Sequence, residues 1–437
     1  MLHRRMRASP AIRIYAATLI AQALGLVITV LTARLLTVAD FGLMAQILIW
    51  IGFLPYLFTC GVPDALIVTS GSGREGMARV FSAACTYFAF LAGVAGLVTW
   101  LCVRELLPVN TVTAVLMALS VVLAFASSFV MSIEERLRAF DEYNRLLILT
   151  NVVTLVLLAP FLLWPNWCTV AVVLCARLVG NASIVLLRLW KRREFIRSRA
   201  EGPATVWRSV AKTGMRFHCT DLLIVLATRL EQILAVHYLT PVALGAYGAI
   251  LPVSIAVKSF AGAVGLAGLV RVTSARGSRS QGTVLDRQLR ISWIGTLLVA
   301  GPLCLLSAIV LPRVYGPKFG DIAWSAVLLV AGGALYAMID LQIRLLRGID
   351  LAWPGVVARV CTVIFVGIFG PVLLVRYGVA GAGYLSVATG LFAHVILSVT
   401  RRIAVPRKLD YFPDANSRPA RWRHIAIRSG RMQQESP

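Results

Sequence analysis

The chain has 437 residues, of which 59% are hydrophobic and only 14% are charged. A soluble protein of this length carries about 25% charged residues, and long apolar runs recur along the whole chain. The composition therefore excludes a soluble globular protein and indicates one polytopic membrane domain. The formal net charge of +24 is concentrated in short segments between apolar runs, where basic residues set topology and contact anionic lipid headgroups. This distribution argues against nucleic acid as a partner.

Cysteine usage gives no sign of a disulfide framework, a metal site or a cofactor. Eight cysteines are scattered, mostly inside apolar segments: Cys60, Cys85, Cys102, Cys168, Cys175, Cys219, Cys304 and Cys361. No CxxC pair and no Cys/His cluster is present, so neither disulfide pairs nor zinc ligands are indicated. We expect these side chains to act as small packing residues.

Apolar runs of roughly 17 residues or more predict twelve membrane-spanning helices. The first follows the basic start MLHRRMR, and its run from Ile14 to Leu31 is longer than the apolar region of a signal peptide, so we expect an uncleaved helix. The predicted spans are 12–34, 42–66, 79–102, 111–131, 146–164, 169–188, 213–238, 244–269, 290–311, 321–343, 353–375 and 378–399.

The placement of Lys and Arg tests this number of spans. With the N-terminus in the cytoplasm, the segments predicted to face inward hold 33 basic residues, the outward segments hold five, and five more lie within spans. Basic residues concentrate on the cytoplasmic side of membrane proteins. The bias therefore predicts that both termini are cytoplasmic, and one missed helix would have inverted it partway along the chain.

A two-fold organisation is visible in the sequence. LTVADFG at 36–42 recurs as LTPVALG at 239–245, after the first and seventh predicted spans. Both halves have the same orientation, which is typical of a parallel repeat in a transporter. We therefore predict two six-helix bundles joined by a basic cytoplasmic linker and followed by a disordered basic tail. Their boundaries are 1–188, 189–212, 213–400 and 401–437.

Three stretches resemble the polysaccharide biosynthesis proteins, the oligosaccharide and O-antigen flippases of the multidrug/oligosaccharidyl-lipid/polysaccharide superfamily. IAQALGLVITVLTARLLTVADFGLMAQIL at 20–48 is similar to the opening of these proteins. TRLEQILAVHYLTPVALGAYGAI at 228–250 is similar to their seventh helix and the turn after it, and LPRVYGPKFGDIAWSAVLLVAGG at 311–333 to their ninth-to-tenth connection. The similarity covers most of residues 10–400.

The resemblance implies an all-α fold of two six-helix bundles around a central cavity. It also implies a task, which is to move an undecaprenyl-pyrophosphate-linked oligosaccharide across the bacterial inner membrane for surface polysaccharide biosynthesis, alongside other polysaccharide assembly proteins. One position departs from the family, which often has Asp in the seventh helix where this chain has Glu231. Glu keeps the negative charge of Asp but places it one methylene group farther from the backbone.

Four basic residues lie deep within predicted spans: Arg177, Arg229, Lys258 and Arg359. A pyrophosphate crossing about 30 Å of hydrocarbon needs fixed positive groups in place of its hydration, and the planar fork of Arg binds phosphate at two points. Because ionisable residues within spans are expensive and usually functional, we predict that these four bind substrate in a wet, cationic cavity. The alternatives are structural ion pairs or, for Arg359, snorkelling to the inner interface.

The acidic residues within spans are Asp64, Asp221, Glu231 and Asp340, which we predict to pair with cations or to couple transport to an ion. Asp64 and Asp340 lie toward the cytoplasmic ends, which favours pairing. Arg229 and Glu231 point about 200° apart around one helix and cannot easily neutralise each other. We predict that Arg229 faces the cavity and that Glu231 meets a cation of another helix. The reverse arrangement, or a proton or sodium site at Glu231, are the alternatives.

A membrane enzyme is the rival class of function, such as a polysaccharide polymerase or a lipid-linked glycosyltransferase. The five histidines are dispersed, and the sequence has no HExxH, DxD or Gly-rich phosphate loop, so we expect a non-enzyme. Within the superfamily, a drug or another lipid-linked precursor is the alternative substrate. Twelve spans are typical of the drug exporters and the polysaccharide flippases, whereas the peptidoglycan flippases usually carry fourteen.

Overall fold

The computed structural model describes residues 10–69, 74–106, 109–137, 140–197, 203–274, 281–316, 319, 322–349 and 351–410. All regular structure in these ranges is helical. A helix satisfies its own backbone N–H and C=O groups, which lipid cannot do. The predicted all-α class is confirmed.

The described α-helices follow one another in the order α1 (Pro10–Leu35), α2 (Val38–Phe58), α3 (Val62–Thr69), α4 (Arg74–Leu106), α5 (Thr111–Arg136), α6 (Phe140–Leu158), α7 (Val170–Lys191), α8 (Arg193–Arg197), α9 (Pro203–Tyr238), α10 (Pro241–Ser274), α11 (Gln281–Tyr315), α12 (Ala323–Arg347) and α13 (Trp353–Asp410). Two short 3-10 segments, Ala159–Leu162 and Pro165–Trp167, lie between α6 and α7.

Ten of the described helices are long and apolar enough to cross a membrane, by length and composition. The last of them, α13, is broken at Gly378, where φ is +56°. The long helix α9 is not among the ten, because Asp221, Arg229 and Glu231 interrupt its apolar run. Leu298 is 69% exposed on the outer surface, as expected for contact with lipid. The chain is a multi-pass membrane protein, and the number of twelve spans stays a prediction.

The predicted second span, 42–66, differs from the structure. Its residues belong to two helices, α2 and α3, because the backbone turns at Cys60 and Gly61, where φ is +48° and +64°. Backbone in this left-handed region ends a helix. A Cβ at position 61 would also collide with the backbone of Gly214 in α9. Apolar residues continue through the turn, so hydrophobicity alone does not reveal the break.

The predicted linker, 189–212, is largely helical where the structure describes it. α7 extends into it, α8 follows, and α9 begins within it. The predicted tail, 401–437, begins inside α13, and its part beyond α13 lies outside the described residues. The division into bundles at 1–188 and 213–400 stays a prediction.

The bundle has two ends: the near end, at which α1 and α9 begin, and the far end, at which they finish. At the near end, Arg188 of α7 donates to Glu134 of α5 in a buried ion pair, with Nε and Oε1 3.0 Å apart. Lys191 donates to Glu142 of α6 at 2.7 Å, and this hydrogen bond holds the pKa of Glu142 below its ordinary value. These bonds join the near ends of α5, α6 and α7.

The two copies of the repeated turn have the same local structure. Leu36 and Leu239 are both buried. Thr37 and Thr240 each accept a hydrogen bond from the backbone N–H three residues later, at 3.1 and 3.3 Å. These bonds satisfy free N–H groups at the starts of α2 and α10. The repeat therefore encodes a buried leucine followed by a helix cap.

The two turns lie against each other at the far end. A Cβ added to Gly42 would collide with the carbonyl of Pro241, and one added to Gly245 would lie 2.6 Å from the carbonyl oxygen of Val38. Val38 and Pro241 occupy equivalent positions of the repeat, as do the two glycines. The same contact, of a glycine with a carbonyl group of the other turn, therefore forms twice.

The next helical turn continues this contact. Gly248 of α10 lies against Ala45 of α2, whose Cβ would be 2.6 Å from a Cβ added at position 248. These two positions are also equivalent in the repeat. Small residues allow such a close approach of two membrane helices. The contact at the far end is thus formed by equivalent residues of the two copies of the repeat.

We expect Gly42→Ala and Gly245→Ala to lower the free energy of unfolding by about 1–3 kcal/mol each, because overpacking a tight contact forces the backbone to shift. Gly25→Ala and Gly301→Ala are matched controls, since both positions are helical and a Cβ there would meet no atom within 4 Å. Thermal unfolding of the purified proteins in one detergent checks the prediction. Equal unfolding temperatures for the two pairs of variants would contradict it.

Candidate functional site

Three neighbouring cavities in the described part of the bundle share lining residues. The central cavity, of about 490 Å³, lies between α1, α2, α6, α7, α9 and α10. The near cavity, of about 670 Å³, lies toward the near end between α2, α3, α5, α9 and α12. The side chamber, of about 270 Å³, lies between α2, α5 and α7. Arg229 lines both the central and the near cavity, and Arg177 lines both the central cavity and the side chamber, so each arginine stands at a junction.

The central cavity has a largely apolar wall that carries a set of polar and positively charged side chains. It includes Thr29, Asn151 and Gln232 beside the two arginines, and no carboxylate is among the described residues that line it. Arg177 comes from α7 and Arg229 from α9, so the charges enter from the N-terminal and the C-terminal half. They lie roughly 10 and 14 Å from the far ends of their helices, at the rise of an α-helix. Both are too deep to be surface residues of the bundle ends.

The two arginines differ in their contacts. Arg229 donates a hydrogen bond from Nη1 to Oε1 of Gln232 at 2.7 Å, and its guanidinium lies beside Gly52 of α2. Arg177 makes no hydrogen bond or ion pair with any described residue, and its Nε is buried without a partner. Both side chains therefore keep N–H donors for a ligand.

Four carboxyl groups line the near cavity: Asp64, Glu135, Asp221 and Asp340. Asp64 and Asp221 lie close enough to interact electrostatically. Asp340 accepts a hydrogen bond from Arg359 at 2.7 Å. The near cavity is thus acidic but partly neutralised. Among the described residues, no group of three or more His, Cys, Asp or Glu side chains is placed to hold a metal ion.

Glu231 and Lys258 belong to a buried network. Glu231 is 8% exposed, accepts a hydrogen bond from the Tyr247 hydroxyl at 3.1 Å and another from Ser386, and interacts electrostatically with Lys258. The Lys258 ammonium lies 5.0 Å from the ring centre of Tyr336, a favourable cation–π distance. These residues come from α9, α10, α12 and α13, so the network joins four helices.

The structure separates the four basic residues predicted to bind substrate into two groups. Arg177 and Arg229 line the central cavity, whereas Arg359 is bonded to Asp340 and Lys258 interacts electrostatically with Glu231. Arg229 and Glu231 have different surroundings, a cavity wall for the first and a cation of the neighbouring helix for the second. The roles of these residues in binding or coupling stay predictions.

Sequence reasoning missed Glu135 and the side chamber. Consecutive helical residues point about 100° apart, so Glu134 meets Arg188 while Glu135 lines the near cavity. The sequence held a signal for the chamber, since Ser120 and Ser127 are seven residues apart in α5 and share one face of it. Polar residues repeating at helical spacing inside a span are expected to face another polar surface.

We expect Glu231→Gln to lower the free energy of unfolding by about 1–3 kcal/mol, because it weakens the acceptor of the buried Tyr247 hydroxyl and removes the negative charge that acts on Lys258. The double variant Glu231→Gln/Lys258→Met removes both charges and should recover part of that loss. Unfolding of the two single variants and the double variant in detergent gives the coupling free energy. Strictly additive losses would show that the two side chains do not act as a pair.

Comparison with known proteins places the chain in a family. Residues 11–269 match the family model described as polysaccharide biosynthesis protein, which is more than half of the chain. No curated protein matches the sequence. Among solved structures, the lipid II flippase MurJ in an inward closed conformation has a TM-score of 0.73 over 90% of this chain and 87% of that chain, at 14% identity.

Two transporters of the MOP superfamily are also similar in structure. An inward-facing multidrug resistance MATE family transporter has a TM-score of 0.68, covering 92% of this chain and 99% of that chain at 15% identity. A transporter from Pyrococcus furiosus, described as having a binding pocket of reverse polarity, has a TM-score of 0.52, covering 91% and 95% at 12% identity. At such low identities these likenesses show the fold.

Proposed function

Because the chain belongs to the family of polysaccharide biosynthesis proteins, we propose that it is a flippase that moves an undecaprenyl-pyrophosphate-linked oligosaccharide across the bacterial cytoplasmic membrane. The observation that carries this proposal is the central cavity, where Arg177 and Arg229 approach from the two halves and no carboxylate is among the described lining residues. Two guanidinium groups can bind the two phosphates of the headgroup, each through paired N–H donors. The near end faces the cytoplasm in this proposal, since the basic segments of the chain lie there.

The near cavity suits the sugars. Sugar hydroxyls donate hydrogen bonds, and carboxylates such as Glu135 and Asp340 accept them. Phosphates only accept, so they are better matched by the arginines. With the pyrophosphate at Arg229, the attached sugars extend into the near cavity, because Arg229 lines both spaces.

An apolar groove beside the central cavity suits the lipid tail. The groove, of about 320 Å³, lies between α1, α10 and α11, and its walls include Leu26, Val253 and Leu306. It shares Gln22 and Pro252 with the central cavity. The tail can therefore stay in an apolar environment while the pyrophosphate occupies the cavity. The covalent order of tail, pyrophosphate and sugars matches the spatial order of groove, central cavity and near cavity.

The far end supplies the contacts that must separate for release. Besides the glycine contact of α2 and α10, Arg34 donates two hydrogen bonds to the carbonyl of Val314, at 3.0 and 3.2 Å. Phe41 meets Phe319 edge-on, with ring centres 5.7 Å apart. Opening of these contacts, together with closure at the near end, would give alternating access.

A multidrug exporter is the alternative function within the superfamily. The two arginines of the central cavity attract anions and repel cations, so they favour the lipid-linked pyrophosphate over cationic drugs. A reconstituted protein that moved a cationic dye, and not the lipid-linked oligosaccharide, would favour the exporter.

We expect Arg177→Gln and Arg229→Gln each to slow transfer of a fluorescent polyprenyl-pyrophosphate oligosaccharide in proteoliposomes by about 10- to 100-fold, the equivalent of one charged hydrogen bond. Lysine variants should retain part of the rate, because Lys keeps the charge but lacks the fork. Arg376→Gln is the matched control, since Arg376 is exposed and contacts Tyr377. Unchanged rates in both central-cavity variants would contradict the proposed role of the cavity.

We expect a disulfide between Ala45→Cys and Gly248→Cys, in a chain without its native cysteines, to stop transfer by holding the far end together. The two positions face each other closely enough for cross-linking after a small backbone shift. The rate in proteoliposomes is measured after oxidation and again after reduction, which should restore it. Either single cysteine variant, oxidised in the same way, serves as the control. Full activity of the cross-linked protein would exclude opening at this contact.

A further inference from the structure

The side chamber is a polar space inside the N-terminal half. Its polar lining consists of Ser120 and Ser127 of α5 and Arg177 and Asn181 of α7, and the rest of the wall is apolar. Its volume of about 270 Å³ equals that of roughly nine liquid water molecules. Arg177 is the only charged group among its described lining residues. The chamber is therefore a positively charged recess with room for a polyatomic ligand.

Arg177, a half-buried residue, differs from the other cations inside the bundle. Arg188 lies against Glu134, Lys258 interacts with Glu231, and Arg359 is bonded to Asp340, whereas Arg177 has no carboxylate partner among the described residues. Its Nε is buried without any hydrogen-bond partner. A buried charge without compensation is expensive. The chamber therefore favours an occupant that carries negative charge.

The other polar groups of the chamber can complete an anion site. Ser127 accepts a hydrogen bond from Nη1 of Arg188 at 3.3 Å. Its own hydroxyl proton is donated to no other described residue. Asn181 brings the two N–H donors of its amide. With Arg177 these groups give donors from two helices. A guanidinium fork with neighbouring hydroxyl and amide donors matches the oxygens of a phosphate.

We propose that the side chamber is a binding site for a phosphate-class oxyanion, held by Arg177, Ser127 and Asn181 and separate from Arg229. Because Arg177 also lines the central cavity, an anion can pass between the two spaces without leaving this guanidinium. The occupant is a free phosphate or one phosphate of a lipid headgroup. The site goes beyond the proposed flippase activity and does not require it.

The test uses the full-length protein in nanodiscs of zwitterionic lipid. Inorganic phosphate and a sugar-free polyprenyl pyrophosphate are titrated separately, and the rise in unfolding temperature gives each apparent affinity. Ser120→Leu fills the chamber, and Ser128→Leu is its matched control. Both serines are in α5 and donate to the carbonyl four residues earlier, at 2.8 and 3.0 Å, but Ser128 lines the near cavity instead.

We expect Ser120→Leu to weaken phosphate-class binding by about tenfold or more and Ser127→Ala by about three- to tenfold, the loss of a hydrogen bond to a charged group. Ser128→Leu and Arg229→Gln should leave the affinity for inorganic phosphate within about twofold, as expected for separate sites. Arg229→Gln should still weaken the polyprenyl pyrophosphate, because Arg229 holds one of its two phosphates in the proposed function. Ser127→Ala keeps the test valid if Ser120→Leu does not fold. Loss with inorganic phosphate identifies a free anion as the occupant, and loss with the polyprenyl pyrophosphate alone identifies the lipid headgroup.

Two results would overturn the proposal. One is equal affinity of the unaltered protein, Ser120→Leu and Ser127→Ala for both ligands. The other is a loss of binding in Arg229→Gln or Ser128→Leu but not in the chamber variants. Failure of the flippase proposal has a different signature, since phosphate binding would then persist in a protein that moves no lipid-linked oligosaccharide.

Discussion

A charge placed inside a membrane bundle must be paired, hydrated or bound to a ligand, and this constraint orders the interior of the protein. Arg188 and Arg359 each form an ion pair with a carboxylate of a neighbouring helix, and Lys258 interacts electrostatically with Glu231. Arg177 and Arg229 lie on cavity walls instead. Paired cations hold neighbouring helices together, because removing one partner strands the other in a medium of low polarity. The cations on the cavity walls can contact water and ligands instead. The location of each charge therefore separates the structural residues from the candidate binding residues.

The same constraint on charge applies to helix packing at the far end. Among the described residues, no ion pair joins α2 to α10, and their contact depends on closely packed backbones at Gly42 and Gly245. Close packing of this kind gains dispersion energy but does not need the hydrophobic effect, which is absent between helices in lipid. A contact without buried ion pairs can separate without exposing an unpaired charge. It is therefore a suitable place for a bundle to open, whereas the four-helix network around Glu231 and Lys258 is suited to staying closed within the C-terminal half.

Much of the fold could be predicted from the sequence because it depends on local features. Apolar runs predicted the all-α membrane class, and the spacing of Arg229 and Glu231 predicted that they would have different surroundings. The rotation of a helix relative to its neighbours depends on residues that are distant in sequence. The sequence therefore did not show that Lys258 interacts with Glu231 whereas Arg177 lines a cavity. The break at Gly61 was hidden for a similar reason, since it depends on the backbone of Gly214 lying close by. The family resemblance supplied the expected substrate, which no single residue pattern encodes.

The charges that line the cavities would bind the pyrophosphate and the sugars of the proposed substrate with different strengths. A hydrogen bond to a charged group contributes about 1.5–3 kcal/mol, and a guanidinium–phosphate pair is charged on both sides. The sugar hydroxyls that would face Glu135 and Asp340 are themselves neutral. In the proposed function, the pyrophosphate would therefore be the part that Arg177 and Arg229 anchor, and the sugars would be held less tightly. In the proposed function, such a division would bind the group that lipid-linked intermediates share and would tolerate variation in the sugars. Weak binding of the glycan would then leave it free to move with the pyrophosphate.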